Sequence, residues 1–212
     1  MPIPDYFLEE AKQVAELVGD KLYSDFHLHE GVTPISKEDV ANMYLNGRWR
    51  PSLTITGVDG LPPTTKAGNV IRKSTTVKVS LRLPPTMDAD KAKEIVLSKL
   101  TVDPPYGAKV TIDSFNTGNG FAQAELPDWL RGALDNSSEG VWGQGHKCKS
   151  YGIGGSIPFL ATLGGMFPEA KILAVGVGSD ESNAHNPNEF IVLHYAKNLV
   201  KSLSHVLYDI GK

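Results

Sequence analysis

The chain has 212 residues with 21 Lys+Arg against 24 Asp+Glu, a net charge of −3. That balance argues against a dedicated nucleic-acid binder, and 41% hydrophobic residues are too many for a disordered chain. One cysteine, Cys148, excludes an intrachain disulfide and a cysteine-rich zinc finger.

Residues 5–18 read as a helix, since Phe7, Leu8, Ala11, Val14, Ala15 and Val18 recur at three- and four-residue spacing and Gly19 follows. Ser36-Lys-Glu-Asp39 resembles a capping box before a second helical piece with Val40, Met43 and Tyr44, stopped near Asn46-Gly47. SLTITGVDG, from Ser52 to Gly60, predicts a strand in which Leu53, Ile55 and Gly57 alternate with polar residues. Leu61 to Gly68 is a Pro/Gly loop. Thr75 to Leu83 is the clearest strand, with Val77, Val79, Leu81 and Leu83 on one face. Asp88 to Leu100 predicts a helix with Ala92, Ile95, Val96 and Leu100 on one stripe, and Lys109 to Phe115 another strand. The β-β-α-β order over 52–115 is an incomplete form of the ferredoxin-like pattern.

Beyond about residue 118 the texture changes. Trp129 to Leu134 reads as a short helix and Glu139 to Ser150 as irregular. Gly152 to Pro158 is a glycine-rich turn into a helix. Lys171 to Val177 predicts a continuous apolar strand, as in a sheet covered on both faces. That apolar run is too short to cross a bilayer. The start, MPIPDYFLEEAK, lacks the basic and apolar regions of a signal peptide. The expectation is a cytoplasmic protein with no membrane and no nucleic-acid partner. A last helix covers about Asn188 to Ile210, with Ile191, Leu199, Val200, Leu203, Val206 and Leu207 as its apolar set.

Three segments could carry chemistry. Gly152-Ile-Gly-Gly-Ser-Ile-Pro158 offers close backbone approach and a helix start with unpaired N–H groups, with Ser156 placed to cap. It is neither a dinucleotide fingerprint, since Ile157 replaces the last glycine, nor a phosphate-binding P-loop. A ligand-free connection reads equally well. His185, in SNAHNPNEF, lies in a polar loop between an apolar strand and a long helix, a position suited to a metal ligand. A lone loop histidine, with Asn186, Asn188 and Glu189 as helix caps, is the plainer alternative. Arg82, ending the polar face of its strand, could clamp a carboxylate. Elsewhere, His27-Leu-His29 lacks a third metal ligand, and His194 and His205 border the last helix. Cys148, between Lys147 and Lys149, could have a lowered thiol pKa, but with no acid–base partner it reads better as a plain free thiol. Trp49, between Arg48 and Arg50, reads as an anchor for the following strand.

Together these segments resemble a known family. Gly154-Gly-Ser-Ile-Pro158, an apolar strand, SNAHNPNEF and a closing helix look like the C-terminal part of the di-zinc metallopeptidases, which include carnosine and cysteinylglycine dipeptidases, succinyl-diaminopimelate desuccinylase, aminoacylases and glutamate carboxypeptidases. RWRPSLTITGVDG, AGNVIRKS and KVSLRLPP look like the second half of the same family's lid. The resemblance runs from about Arg48 to the C-terminus. It implies an α/β fold in two parts: a partial ferredoxin-like lid and dimerisation domain over 1–118, with a helical lead-in over 1–50, and the C-terminal segment of the catalytic domain over 119–212.

The resemblance also implies roles. His185 matches the C-terminal zinc-ligand histidine, and Gly154, Gly155 and Ser156 match the loop that holds the substrate's carboxylate. Arg82 matches the lid arginine of the catalytic site that approaches that carboxylate. Asn69 matches a substrate-binding polar residue of the lid. The implied cofactor is zinc, two ions per complete site, with manganese or cobalt as substitutes. The implied substrates are dipeptides or N-acyl amino acids.

The departures are equally specific. The family's His-x-Asp motif, bridging aspartate and Glu-Glu pair have no counterpart here. Ile153 stands where close dipeptidase relatives carry a glutamate for the free amino terminus, and Ile71-Arg72 replaces the usual Ile-Pro. The expected partners are therefore a companion N-terminal half or a second copy joined through the lid. The expectation is a peptidase portion inactive by itself; the alternative is a non-catalytic dimerisation or binding module.

Overall fold

The computed structural model describes residues 2–24, 28–35, 38–153 and 157–211. In chain order these form α1 (Asp5–Val18), α2 (Lys21–Ser24), α3 (Val40–Arg48), β1 (Ser52–Asp59), β2 (Thr76–Arg82), α4 (Ala89–Thr101), α5 (Asp128–Trp142), α6 (Pro158–Met166) and α7 (Leu193–Ile210). Short 3-10 turns lie at Thr64–Lys66, Pro105–Gly107 and Asp180–Ser182. The fold is thus mixed helix with a small antiparallel sheet, within the expected α/β class.

α1 spans the residues its apolar spacing predicts. Gly19, at φ 51, ends it in a conformation most side chains avoid. Its buried stripe, Ala11 and Val14, packs with Leu22 of α2 and with Tyr44 and Leu45 of α3. α3 begins at Asp39, whose carboxylate accepts the Asn42 N–H at 2.8 Å. Of the expected capping box, Ser36 and Lys37 lie outside the described residues. The helix continues through Asn46-Gly47 to Arg48, where the Arg50 guanidinium donates to the side chains of Asn42 and Asn46.

β1 and β2 pair antiparallel, with a bulge between Ile55 and Gly57. The bulge inserts one residue, so the alternation shifts by one beyond it. Val58, rather than the expected Gly57, therefore takes the third place on the apolar face. The cross-strand pairs are Leu53 with Leu81, Ile55 with Val79 and Val58 with Val77. α4 is capped by Asp88, which accepts the N–H groups of Asp90 and Lys91 at 3.0 and 2.9 Å. It buries Ala89 and Ala92, while Ile95 and Leu100 of the expected stripe are exposed.

Two expected strands differ. Residues 109–115 and 171–177 join no ladder among the described residues; β1 and β2 pair only with each other. A strand exists through its partner's backbone groups, and neither segment meets one. Ile172 and Leu173 are half-buried and Val175 is exposed, so 171–177 is not covered on both faces.

α5 is longer than expected and runs to Trp142, because its far half packs on α7. Leu130, Ala133 and Ser137 are buried on one side, Asn198, Ser202 and Val206 on the other. Ser137 Oγ lies 2.7 Å from both the carbonyl and the hydroxyl of Ser202. α7 starts at Leu193 with Val192 as an unassisted cap, so Asn186, Asn188 and Glu189 do not cap it. α6 starts at Pro158, with Ile157 likewise an unassisted cap.

Candidate functional site

His185 sits in a loop organised by its own side chains. The Ser182 hydroxyl accepts the Ser179 N–H at 2.6 Å and lies 3.0 Å from the Ser179 hydroxyl. The Phe190 N–H returns to the Ser182 carbonyl at 3.1 Å, closing the loop. Within it Asn183 Nδ2 donates to the Pro187 carbonyl at 2.6 Å. Three non-glycine residues, Asn183, His185 and Asn188, take φ of 55, 65 and 65, in the left-handed region. Asparagine tolerates that region through local hydrogen bonds; for His185 the surrounding loop imposes it. His185 is exposed. Asn186 and Asn188, read as helix caps, lie within this loop instead, Asn186 Nδ2 donating to the Ala184 carbonyl at 3.3 Å.

Arg82 closes β2 opposite Ser52 in the ladder and is exposed. Asn69 is the centre of a three-residue turn in which the Val70 N–H donates to the Gly68 carbonyl at 2.9 Å; it too is exposed. Gly154, Gly155 and Ser156 lie outside the described residues. Arg82, Ile153, Ile157 and Gly178 line one broad, open depression, which leaves out His185 and Asn69.

The strap leading to the glycine loop is held by residues the sequence reading passed over. Tyr44 donates to Glu10 Oε1 at 2.8 Å and accepts the Gly152 N–H. Arg48 Nε donates to the Gly152 carbonyl at 3.0 Å, and its Nη2 to the Tyr151 hydroxyl at 2.5 Å. The guanidinium also stacks over both rings, 4.8 Å from Tyr44 and 4.9 Å from Tyr151. Burial, then the Glu10 charge, push the Tyr44 phenol well above its ordinary value. A Cβ at Gly152 would fall 2.9 Å from Tyr44 Oη. Glycine is thus required there by close approach. No single-residue pattern marks such a clamp, because its members are about a hundred residues apart.

Of the remaining candidates, His27 lies outside the described residues and His29 is exposed. His194 Nε2 is 3.1 Å from Asn198 Nδ2 on the border of α7. Trp49 is buried and anchors onto α1 through Phe7, ring centroids 4.7 Å apart. Cys148 is a free, half-buried thiol: burial, then Asp135, raise its pKa, outweighing Arg131 and Lys149, so the flanking lysines do not activate it.

Zinc needs three or four ligands. Among the described residues no three His, Cys, Asp or Glu side chains converge to hold a metal ion. His185 alone cannot hold the implied metal pair, so these residues do not by themselves fit it. Among the described residues no helix is long and apolar enough to cross a membrane.

No family model matches the chain. A cysteinylglycine-S-conjugate dipeptidase of Corynebacterium striatum is 28% identical over 149 residues, which span 67% of this chain and 30% of that protein. Three solved structures share the fold across 99% of this chain. Human carnosine dipeptidase 1 has a TM-score of 0.67 at 16% identity, with 43% of its own chain covered. The dipeptidase Dug1p of Saccharomyces cerevisiae has 0.64 at 20%, with 42% covered. The M20 family metallo-carboxypeptidase Sso-CP2 of Sulfolobus solfataricus has 0.68 at 19%, with 46% covered. The chain spans less than half the length of each of these relatives. In sequence it resembles part of a cysteinylglycine-S-conjugate dipeptidase, and in fold part of human carnosine dipeptidase 1, of Dug1p and of Sso-CP2.

Proposed function

We propose that this chain is the C-terminal portion of a zinc-dependent peptidase that cleaves the amide bond of dipeptides or N-acyl amino acids. The observation that carries the reading is the 28% identity to a dipeptidase, joined to a fold shared end to end with peptidases. In this reading residues 1–118 are lid and 119–212 belong to the catalytic domain. His185 is the one metal ligand on this chain. Gly154, Gly155 and Ser156 receive the substrate's carboxylate. Arg82 neutralises that carboxylate as the lid closes, and Asn69 adds a polar contact from the lid.

The chain's own chemistry is then binding and orientation. A carboxylate held by an arginine and by backbone N–H groups is fixed in direction, which sets the scissile amide at a constant place. The hydrolytic step needs ligands these residues do not supply. The chain alone is therefore inactive, and it works in the cytoplasm with the metal-binding half. Purified chain, loaded with zinc and offered dipeptides and N-acyl amino acids, should release no amino acid. With the N-terminal half added, hydrolysis should appear, and His185→Ala should abolish it. Turnover by the chain alone would overturn the reading.

A second reading is a lid-derived dimerisation module. The apolar pairs exposed on β1 and β2 favour it, because unpaired sheets associate. A stable self-dimer that binds no metal would select this reading.

A further inference from the structure

Arg48 spends its guanidinium on a segment 104 residues further along the chain. Its Nε donates to the Gly152 carbonyl at 3.0 Å and its Nη2 to the Tyr151 hydroxyl at 2.5 Å. The Gly152 N–H is taken by Tyr44, which is buried and held in turn by Glu10 at 2.8 Å. Both polar groups of Gly152 are thus bonded to α3, and the strap has one seat on that helix. A lysine could not replace the arginine, because one ammonium lacks the two-pronged donor geometry and stacks less well on the rings of Tyr44 and Tyr151.

The same helix end governs Arg82. Ser52, four residues after Arg48, opens β1 and is the ladder partner of Arg82. The link is stiff. Trp49 is buried and packs on Phe7. The N–H groups of Trp49 and Arg50 both return to the Leu45 carbonyl, at 2.8 and 3.1 Å. The Arg50 guanidinium donates to Asn42 and Asn46 of α3, and Pro51 fixes its own φ. Four residues span at most about 14 Å. Arg48, Arg82, Gly152 and Ile153 all line the same open depression.

We infer that Arg48 is a positioning residue that locks the Tyr151–Gly152 strap to the end of α3 and so sets the spacing between that strap and Arg82. For the ligand this rests on the peptidase reading, in which Arg82 and the loop past the strap share one carboxylate. A carboxylate held at two points is sensitive to the distance between them. Arg48 itself touches no substrate; it acts through Gly152 and Arg82.

Two measurements on the 212-residue chain test it. Nitroxide labels on Ser52→Cys and Ile153→Cys, with Cys148→Ser, read the spacing by pulsed electron spin resonance; both labelled positions are exposed. One narrow distance distribution is expected, and Arg48→Met should broaden it. Arg48→Lys, which keeps the charge and the helix, should broaden it as well. A distribution unchanged in both variants would overturn the inference. N-acetylglycine, as the carboxylate probe, is then titrated and followed by nuclear magnetic resonance. Arg48→Met should weaken its binding about tenfold. In an Arg82→Ala background the same change should cost less than about threefold, since a positioning residue acts through the group it places. Full affinity in Arg48→Met, or losses that simply add, would overturn the inference. A wild-type chain that binds no N-acetylglycine removes the carboxylate from the peptidase reading. The label distances then decide alone: broadening upholds Arg48 as the group that sets the spacing, and its absence overturns it.

Discussion

Gly152 shows how one residue can set a local structure. It has no Cβ, so Tyr44 and Arg48 reach its amide and carbonyl directly. Gly152→Ala should cost about 1–3 kcal/mol through crowding, measured by urea unfolding. Tyr44→Phe carries a pH signature. The raised Tyr44 pKa means the folded state holds this proton more tightly than the unfolded chain. The resulting stability is fully present below pH 10, the ordinary tyrosine value, and is lost as pH rises through the folded value. Wild-type stability should therefore fall above pH 10, and the Phe variant should show a shallower fall. At Cys148 burial and Asp135 win over Arg131 and Lys149. Its alkylation by iodoacetamide at pH 7 should be slower than that of a fully exposed cysteine, and faster reaction would contradict the raised pKa of this half-buried thiol.

The elements divide by how far they depend on distant residues. α1, β2 and α4 were legible in the sequence to within a residue or so, because three- and two-residue periods and the caps at Gly19 and Asp88 are local signals. The bulge in β1 was not, since it shows only in register with the partner strand. The far half of α5 looked irregular because its glycines and serines are poor helix formers. It is helical because Ser137 meets Ser202 on α7 in a buried contact. Ser137→Ala should cost about 1–3 kcal/mol by leaving buried groups unpaired. Asp88→Ala, which removes only a cap, should cost about 1 kcal/mol. Of the candidate site, the loop position of His185 and the strand-end position of Arg82 were legible in the sequence. The loop that holds left-handed backbone at His185 was not, since it depends on bonds among Ser179, Ser182, Asn183 and Pro187 that no local pattern announces.

For the whole molecule the decisive quantity is buried area. Heat capacity of unfolding follows the surface exposed, about 12–15 cal/mol/K per residue in fully packed proteins. With 16367 Å² already open, calorimetry of the chain alone should fall clearly below that range. The small cores make unfolding local as well. The α1–α3 cluster and the α5–α7 pair are held by separate buried sets, so they should melt at different temperatures when followed by separate probes.

Trp49 supplies one such probe. Its indole is buried against Phe7, and its Nε1–H has no acceptor among the described residues. An indole in a dry site, without a hydrogen bond to stabilise its excited state, emits at short wavelength. Of the chain's three tryptophans, Trp129 is 58% exposed and Trp142 is half-buried on the other helix pair. The blue edge of the fluorescence spectrum therefore belongs to the first helical cluster alone. Its red shift during heating reports the opening of α1 from α3 without any label being added.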